Sequence, residues 1–249
     1  MRFLARAYYV FAYYLSWFVF ALVALGLNFG CLFVRPFHRR PAAARRTRAV
    51  IRWLFDFWVR WFHACGVLRI RWHGFDAPLP AGTVYIANHP CLIDATVLLS
   101  RLPEAICIFK PRLMANPAIG TAAIMAGYSA GTNGIDLIRE VSGKVAGGCS
   151  LLIFPEGTRT AVGSRLGPFK PGFALIAARA RAPVQAIVIR CSPGLVPRGR
   201  AWWRVPAELP ARMDIVLDRR WPRVAESGSL AFAAEVERHF LSRITEPVA

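Results

Sequence analysis

Two short stretches of the chain contain the residue types that proton transfer requires. In the first, His89 and Asp94 are five positions apart in Asn-His-Pro-Cys-Leu-Ile-Asp, directly after the apolar run 83–87. A histidine can take a proton from a hydroxyl group near neutral pH, and a neighbouring carboxylate orients the ring and stabilises the imidazolium that forms. The spacing therefore predicts a general base and its orienting partner.

The second stretch combines anion-binding groups with a flexible backbone. The apolar run 150–154 is followed by Pro-Glu-Gly-Thr-Arg. An arginine presents parallel N–H donors to a phosphate or carboxylate, and a glycine lets the backbone approach a ligand closely. We expect this turn to bind the substrate, with a lysine further along the chain as a second cation. The predicted binding residues are Glu156, Gly157, Thr158, Arg159 and Lys170.

Apolar runs that are typical of buried strands alternate with helical patterns after residue 74. The predicted strands are 83–87, 105–109, 150–154, 184–190 and 213–217. The predicted helices are 90–100, 117–126, 133–146, 172–181 and 229–244. This alternation predicts a single α/β domain with a mixed, mostly parallel sheet flanked by helices, and it places both motifs at strand ends of that sheet.

The N-terminal segment is apolar enough to enter a membrane. Residues 7–34 carry no charge, and as a helix they would extend about 42 Å, more than the roughly 30 Å hydrocarbon core of a bilayer. Arg2 and Arg6 precede this segment, and six arginines follow it between residues 35 and 48. This bias predicts a helical anchor in the cell membrane, with the catalytic domain on the cytoplasmic side. A single span, a hairpin and an in-plane pair of helices all remain open.

A second membrane signal follows in residues 49–64. Arg52, Asp56, Arg60 and His63 recur there at helical spacing, and most of the other side chains are aromatic or aliphatic. A narrow charged stripe on such a body is typical of a helix in the membrane interface, although a core helix with one solvent-exposed stripe has the same pattern. The predicted organisation is a membrane anchor over 1–34, a basic linker with an interfacial amphipathic helix over 35–75, and a catalytic domain over 76–249.

Composition restricts the class of partner. The chain has 32 basic and 14 acidic residues, a net charge of +18, and a mean hydropathy of +0.38. A basic and apolar protein suits an anionic phospholipid membrane, and the absence of any nucleic-acid-binding motif argues against nucleic acid. The six cysteines form no Cys-x-x-Cys motif and no cluster with histidine, so we expect neither a metal site nor a disulfide framework.

Both stretches match the signatures of a known enzyme family. His89 to Asp94 and Phe154 to Arg159 resemble the His-x-x-x-x-Asp and Phe-Pro-Glu-Gly-Thr-Arg motifs of glycerophospholipid acyltransferases of the lysophosphatidate acyltransferase type. Phe169-Lys170-Pro171-Gly172 and Ala182-Pro183-Val184 are also similar to steps found in that family. The resemblance covers residues 80–195, and the order and spacing of the two motifs make it specific.

The resemblance implies a membrane-bound O-acyltransferase that uses no metal and no cofactor. The acyl donor would be acyl-CoA or acyl carrier protein, and the acceptor a lysophospholipid-like lipid such as 1-acyl-glycerol-3-phosphate. His89 would deprotonate the acceptor hydroxyl, and the turn at Glu156 to Arg159 would bind the acceptor phosphate. Residues 127–133 lack the arginine that family members carry there, and Ala186 replaces a common proline. A different lyso-lipid, an amine or a hydroxylated acyl chain therefore stays open as the acceptor.

One motif supports a different reaction. Residues 127–131 read Gly-Tyr-Ser-Ala-Gly, which satisfies the Gly-x-Ser-x-Gly nucleophile elbow of α/β-hydrolases. Asp214 or Asp218, and then His239, follow Ser129 in the chain order of a hydrolase triad. A serine esterase or lipase is therefore the alternative prediction. It leaves both strand-end motifs unexplained, and it places its histidine inside a predicted helix.

Overall fold

A seven-stranded sheet organises the domain. The computed structural model describes residues 2–34, 41–131, 134–192, 195–222, 224 and 228–245. The strands are β1 (Leu68–His73), β2 (Val84–Ala87), β3 (Ala105–Phe109), β4 (Ser129–Ala130), β5 (Ser150–Ile153), β6 (Val184–Ser192) and β7 (Ala211–Trp221). Their order is β1-β7-β6-β2-β5-β3-β4, and every neighbouring pair is parallel except β6 and β7. The prediction of an α/β domain with a mixed, mostly parallel sheet is confirmed.

Eight helices accompany these strands in the described residues. They are α1 (Arg2–Val34), α2 (Pro41–Ala64), α3 (Asp94–Leu99), α4 (Pro111–Met114), α5 (Gly120–Met125), α6 (Gly134–Ala146), α7 (Gly172–Ala180) and α8 (Ser229–Thr245). Helices α6, α7 and α8 pack together and contact β2, β5 and β6. Helices α1, α2, α3 and α5 form a second group. The central strands β2 and β5 are mostly apolar and almost completely buried, as expected for strands that are covered on both faces of the sheet.

Helix α1 packs against the domain along one side. Tyr13 is fully buried, the indole of Trp58 donates to the carbonyl of Ser16 over 3.0 Å, and Asn28 accepts the backbone N–H of Ala122 over 2.9 Å. The opposite side carries exposed apolar side chains at helical spacing: Leu4, Tyr8, Phe11, Phe18, Leu22, Leu25, Phe29 and Leu32. Over Leu4–Val34 the helix is long and apolar enough to cross a membrane by length and composition.

The segment between α1 and the predicted catalytic domain is part of the packed domain, although the sequence predicts a linker there. Strand β1 precedes residue 76 and pairs with β7, so the sheet begins before that predicted boundary. Helix α2 starts at Pro41 rather than at residue 49, and it buries Trp58 and Phe62 while Trp53 remains exposed. The helix therefore combines a core face with an outward aromatic face. The linker arginines Arg35, Arg39 and Arg40 lie outside the described residues.

Candidate active site

The two motif turns lie side by side because their strands are neighbours. Val84 of β2 pairs with Leu151 of β5 in parallel register, so both strands end at the same edge of the sheet. His89 follows the end of β2 and Phe154 directly follows β5. The carboxyl ends of parallel strands are where open α/β sheets bind ligands. The sheet thus brings together the two motifs that the sequence predicts to act together.

The predicted contact between His89 and Asp94 is present. Nδ1 of His89 lies 2.8 Å from Oδ2 of Asp94, which also accepts the backbone N–H of Cys91 over 2.7 Å. Asp94 is fully buried, and this burial raises the pKa of its carboxyl group, while the hydrogen bond with His89 opposes the shift. Asp94 is the first residue of α3, not part of its second turn as expected. The non-helical turn over residues 90–93 lets the carboxylate reach back to the ring.

The histidine ring is held on a second side by stacking. The rings of His89 and Phe154 are 4.1 Å apart at their centroids and inclined by 18°. Because Nδ1 faces the carboxylate, we assign its proton there, which leaves the lone pair on Nε2. Nε2 has no partner among the described residues, and the side chain is 17% exposed. This nitrogen can therefore accept a proton from a hydroxyl group that enters the site.

Glu156 connects the two turns. Its Oε1 accepts the backbone N–H of His89 over 2.8 Å, and its Oε2 accepts that of Gly167 over 2.7 Å. The hydroxyl of Thr160 lies 3.0 and 2.9 Å from the two carboxylate oxygens. Only 5% of Glu156 is exposed. These contacts occupy the carboxylate inside the protein, so Glu156 supports the backbone of His89 instead of presenting a charge to a ligand.

The glycine and the lysine of the predicted binding site lie together. Gly157 has a φ of +67°, which an L side chain rarely adopts. The Cβ atom of any larger residue there would be 3.1 Å from Nζ of Lys170, whose side chain crosses the turn at this point. The backbone N–H of Lys170 donates to the carbonyl of Pro155 over 2.9 Å. The turn thus carries an exposed cation.

Arg159 divides its guanidinium group between the protein and the open side of the site. Nη1 donates to the carbonyl of Val196 over 2.9 Å and to that of Pro197 over 3.1 Å. Nη2 makes no hydrogen bond to any residue that the structure describes. Arg159 and Glu156 form no ion pair, because the guanidinium bonds to backbone carbonyls and the carboxylate to other partners. The Nη2 edge of the guanidinium stays available to an anion. The neighbouring Thr158 is half-buried.

An apolar cavity of about 140 Å³ has Ala95 and Thr96 of α3 in its lining, next to Asp94 in the chain. It is enclosed by α1, α2, α3, α5 and the strand end at Phe109. Ala95, the residue after Asp94, forms part of its wall, together with Phe20 and Phe55. An apolar space of this kind can hold hydrocarbon but offers little to a polar ligand.

Ser129 does not meet the other residues of the hydrolase alternative. Ser129 lies on β4, where its hydroxyl bonds to Glu140 over 2.9 Å and to Nζ of Lys144 over 2.9 Å. His239 pairs with Asp218 on β7 over 3.0 Å. Four strands separate β4 from β7, a distance of about 24 Å at the usual strand spacing. The expectation of a triad built on Ser129 and His239 is wrong, because the fold places Ser129 at one end of the sheet and the Asp218–His239 pair near the other end.

Three residues that sequence reasoning missed hold the site in place. Asn88 exchanges two hydrogen bonds of 2.8 and 2.7 Å with the backbone of Ile189, which fixes the end of β2 to β6. The backbone N–H of Thr160 donates to the carbonyl of His89 over 2.8 Å. Val196 contacts Arg159 as described above. Asn88 and Thr160 flank the motifs, but short polar residues are common in turns, and Val196 carries no sequence signal.

Comparisons with known proteins agree with one another. A family model described as Acyltransferase matches residues 69–190, a range that contains both motif turns. A chloroplastic 1-acyl-sn-glycerol-3-phosphate acyltransferase of Brassica napus is 32% identical over 161 residues, which are 59% of this chain and 46% of that protein. A 1-acyl-sn-glycerol-3-phosphate acyltransferase of Helicobacter pylori is 28% identical over 174 residues, covering 68% of this chain and 69% of that protein.

Two further comparisons concern length and fold. An acyltransferase of the same name from Cocos nucifera is 35% identical, and the match covers 43% of this chain and 36% of that protein. The chain thus spans less than half the length of the two plant relatives. The crystal structure of the 1-acyl-sn-glycerophosphate acyltransferase PlsC from Thermotoga maritima superposes with a TM-score of 0.71 at 20% identity, covering 99% of this chain and all of that one. This similarity shows that the two chains share a fold.

Proposed function

We propose that this chain, which a family model described as Acyltransferase matches over residues 69–190, transfers a fatty acyl group from a thioester to the hydroxyl group of a lysophospholipid. The observation that carries the proposal is the His89–Asp94 pair, with Nε2 of the histidine free beside a cationic turn. The donor is acyl-CoA or acyl carrier protein. The transfer of label from an acyl thioester to a lysophospholipid by the purified full chain tests the proposal.

The proposed reaction needs one base and no covalent enzyme intermediate. Nε2 of His89 takes the proton of the acceptor hydroxyl as its oxygen attacks the thioester carbonyl. The carbon–sulfur bond breaks, and the histidine returns the proton to the leaving thiolate. Asp94 stabilises the imidazolium between these steps. Cys91 is no candidate nucleophile, because it is fully buried and its hydrogen bond with Cys191, together with burial, raises the pKa of its thiol.

We assign the acceptor an anionic headgroup. Arg159 and Lys170 are cations on the open side of the motif turn, and the relatives are named for an acceptor that carries a phosphate. Gly157 and Thr158 complete this proposed contact surface, and Glu156 supports it from behind. The acceptor that we propose to test first is 1-acyl-glycerol-3-phosphate. The apolar cavity next to Ala95 is the proposed place for an acyl chain.

Replacing Arg159 by lysine should weaken the binding of an anionic acceptor. A lysine cannot offer the second planar donor, so we expect the acceptor KM to rise by about tenfold, or about 1.4 kcal/mol, with the donor KM unchanged. Initial rates with 1-acyl-glycerol-3-phosphate and with uncharged monoacylglycerol measure the effect. The exposed Arg165, also replaced by lysine, is the matched control. An equal loss with both acceptors, or a change in donor KM alone, would contradict the assignment.

We propose that α1 lies in the membrane plane with its apolar stripe in one leaflet. Its other side packs on the domain along the helix, so a position along the surface retains those contacts. The exposed Trp53 of α2 and Trp203 add aromatic groups that suit the interface. We propose that the catalytic domain lies on the cytoplasmic side of the cell membrane, because the arginines that follow α1 are attracted to the anionic lipids of the cytoplasmic leaflet.

Changes on the outer stripe of α1 should release the protein from vesicles. Each apolar side chain that enters a bilayer contributes about 1.5–3 kcal/mol, so replacing Phe11 and Phe18 together by serine should weaken binding by about a hundredfold or more. Sedimentation with vesicles that contain anionic phospholipid measures this. Leu230, equally exposed but on α8, is the control when replaced by serine. Unchanged sedimentation of the double variant would show that another surface binds the membrane.

A further inference from the structure

A loop between β6 and β7 connects the catalytic turns with α1. We call residues 195–207 the bridging loop. Its first residues are buried, with Leu195 fully covered and Val196 only 2% exposed. Its later residues include the exposed Trp202 and Trp203. The loop thus runs from the interior of the site to the outer surface near the apolar helix.

One backbone oxygen of the bridging loop contacts both catalytic turns. The carbonyl of Val196 accepts the backbone N–H of Leu92 over 3.2 Å and Nη1 of Arg159 over 2.9 Å. Leu92 lies in the turn between His89 and Asp94, and Arg159 ends the second motif. A shift of this oxygen would therefore move the general base and the proposed anion-binding group relative to one another.

Val196 holds this oxygen in an unusual backbone conformation. Its φ is +60°, in the left-handed region, although its side chain is β-branched and the next residue is proline. Such a conformation is unfavourable for a β-branched residue and persists only where the surrounding contacts hold it. The two hydrogen bonds to the Val196 carbonyl, together with the burial of Leu195 and Val196, hold the backbone in this conformation.

The far end of the bridging loop is fixed by α1. The hydroxyl of Tyr14 donates to the carbonyl of Trp203 over 2.9 Å, and that of Tyr13 donates to the carbonyl of Trp202. Nη1 of Arg6 donates to the carbonyl of Pro206 over 2.9 Å. The loop is therefore attached at both ends, and the position of the Val196 carbonyl does not depend on the catalytic turns alone.

We propose that Val196 is a positioning residue for acyl transfer. Glu156 and Thr160 already join the backbones of the two turns, and the Val196 carbonyl places the guanidinium group of Arg159 relative to the turn that carries His89, so that one acceptor molecule can meet both. The role in catalysis rests on the proposed function, whereas the contact itself is a property of the fold. Two replacements of Val196 distinguish the effect of its backbone conformation from the effect of its side chain. Val196→Pro cannot adopt a positive φ, and Val196→Gly adopts it freely.

The kinetic test compares these two variants in the full chain. We expect Val196→Pro to lower kcat by about tenfold or more and to raise the acceptor KM, with the donor KM unchanged, since reacting groups and anion contact are both displaced. Val196→Gly should stay within about threefold of the wild type, because it retains the backbone contact. Partial unfolding would lower kcat but leave both KM values unchanged. Equal behaviour of the two variants would overturn the proposal.

Hydrogen exchange tests the contact without any assay of activity. In Val196→Pro the amide of Leu92 should exchange about tenfold or more faster than in the wild type, whereas that of Ile86 in β2 should not change. Unchanged exchange at Leu92 would overturn the proposal. If the wild type transfers no acyl group but the Leu92 amide responds as expected, only the proposed function fails. If Val196→Pro does not fold, Leu195→Ala is measured in its place. We then expect the Leu92 amide to exchange faster than in the wild type, by a smaller factor.

Discussion

Replacing His89 by alanine should lower kcat for acyl transfer by about a thousandfold or more, because it removes the group that we propose takes the proton from the acceptor hydroxyl. Nε2 of this residue is free to do so, and Nδ1 is held by Asp94 at 2.8 Å. The acceptor KM should change little, since the anion contact belongs to the other turn. Steady-state rates with an acyl thioester and a lysophospholipid measure the effect.

Two matched variants make this result specific. His239 also pairs with an aspartate, Asp218 at 3.0 Å, but lies away from the motif turns, so His239→Ala should retain activity within about threefold. Ser129→Ala should retain most activity, because the hydroxyl of Ser129 is bonded to Glu140 and Lys144. If Ser129→Ala lost more activity than His89→Ala, the acyltransferase mechanism would be contradicted and a serine hydrolase favoured.

Replacing Asp94 by asparagine should lower kcat by about a hundredfold, or about 2.7 kcal/mol, which is less than the loss from His89→Ala. An amide oxygen in place of Oδ2 can still accept from the ring and from the backbone N–H of Cys91, so the orientation of the ring is partly retained. The negative charge that stabilises the imidazolium is lost. Rates over a range of acceptor concentrations separate this effect on kcat from an effect on binding.

The second histidine–aspartate pair offers a matched control for the loss of the Asp94 charge. Asp218 contacts His239 and Arg243 but no residue of the two motif turns, so Asp218→Asn should leave kcat within about threefold of the wild type. A loss from Asp94→Asn as small as that from Asp218→Asn would show that the buried carboxylate contributes only to folding. The general base would then act without an ionic partner.

The sequence predicted those features that depend on neighbours along the chain. Strand β3 was predicted at its observed bounds, since its five residues are uniformly apolar and lie between turn residues. The contact between His89 and Asp94 follows from a turn of few residues. Strand β1 was missed although Leu-Arg-Ile-Arg-Trp-His alternates apolar and charged groups as an edge strand does, because these residues were assigned to the linker before the catalytic domain. Strand β4 was missed because it has only two residues.

The remaining features depend on contacts between distant parts of the chain. A carboxylate in a glycine-rich turn predicts a ligand contact, but Glu156 instead faces the backbone of His89 and Gly167, which only the packed sheet brings near it. Ser129 and His239 occur in hydrolase order, yet strand order separates them. Val196 is an ordinary apolar residue in the sequence, because the sign of its φ is set by tertiary contacts.

The most direct test of the proposed acyl transfer is the fate of a labelled acyl group. The purified full chain, in vesicles with acyl-CoA as the thioester, is assayed with and without 1-acyl-glycerol-3-phosphate, and thiol release is compared with label in ester and in free fatty acid. The proposed mechanism predicts one new ester for each thiol released, and thiol release that depends on the acceptor and on His89. Free fatty acid formed at the same rate without acceptor, and lost in Ser129→Ala, would contradict it.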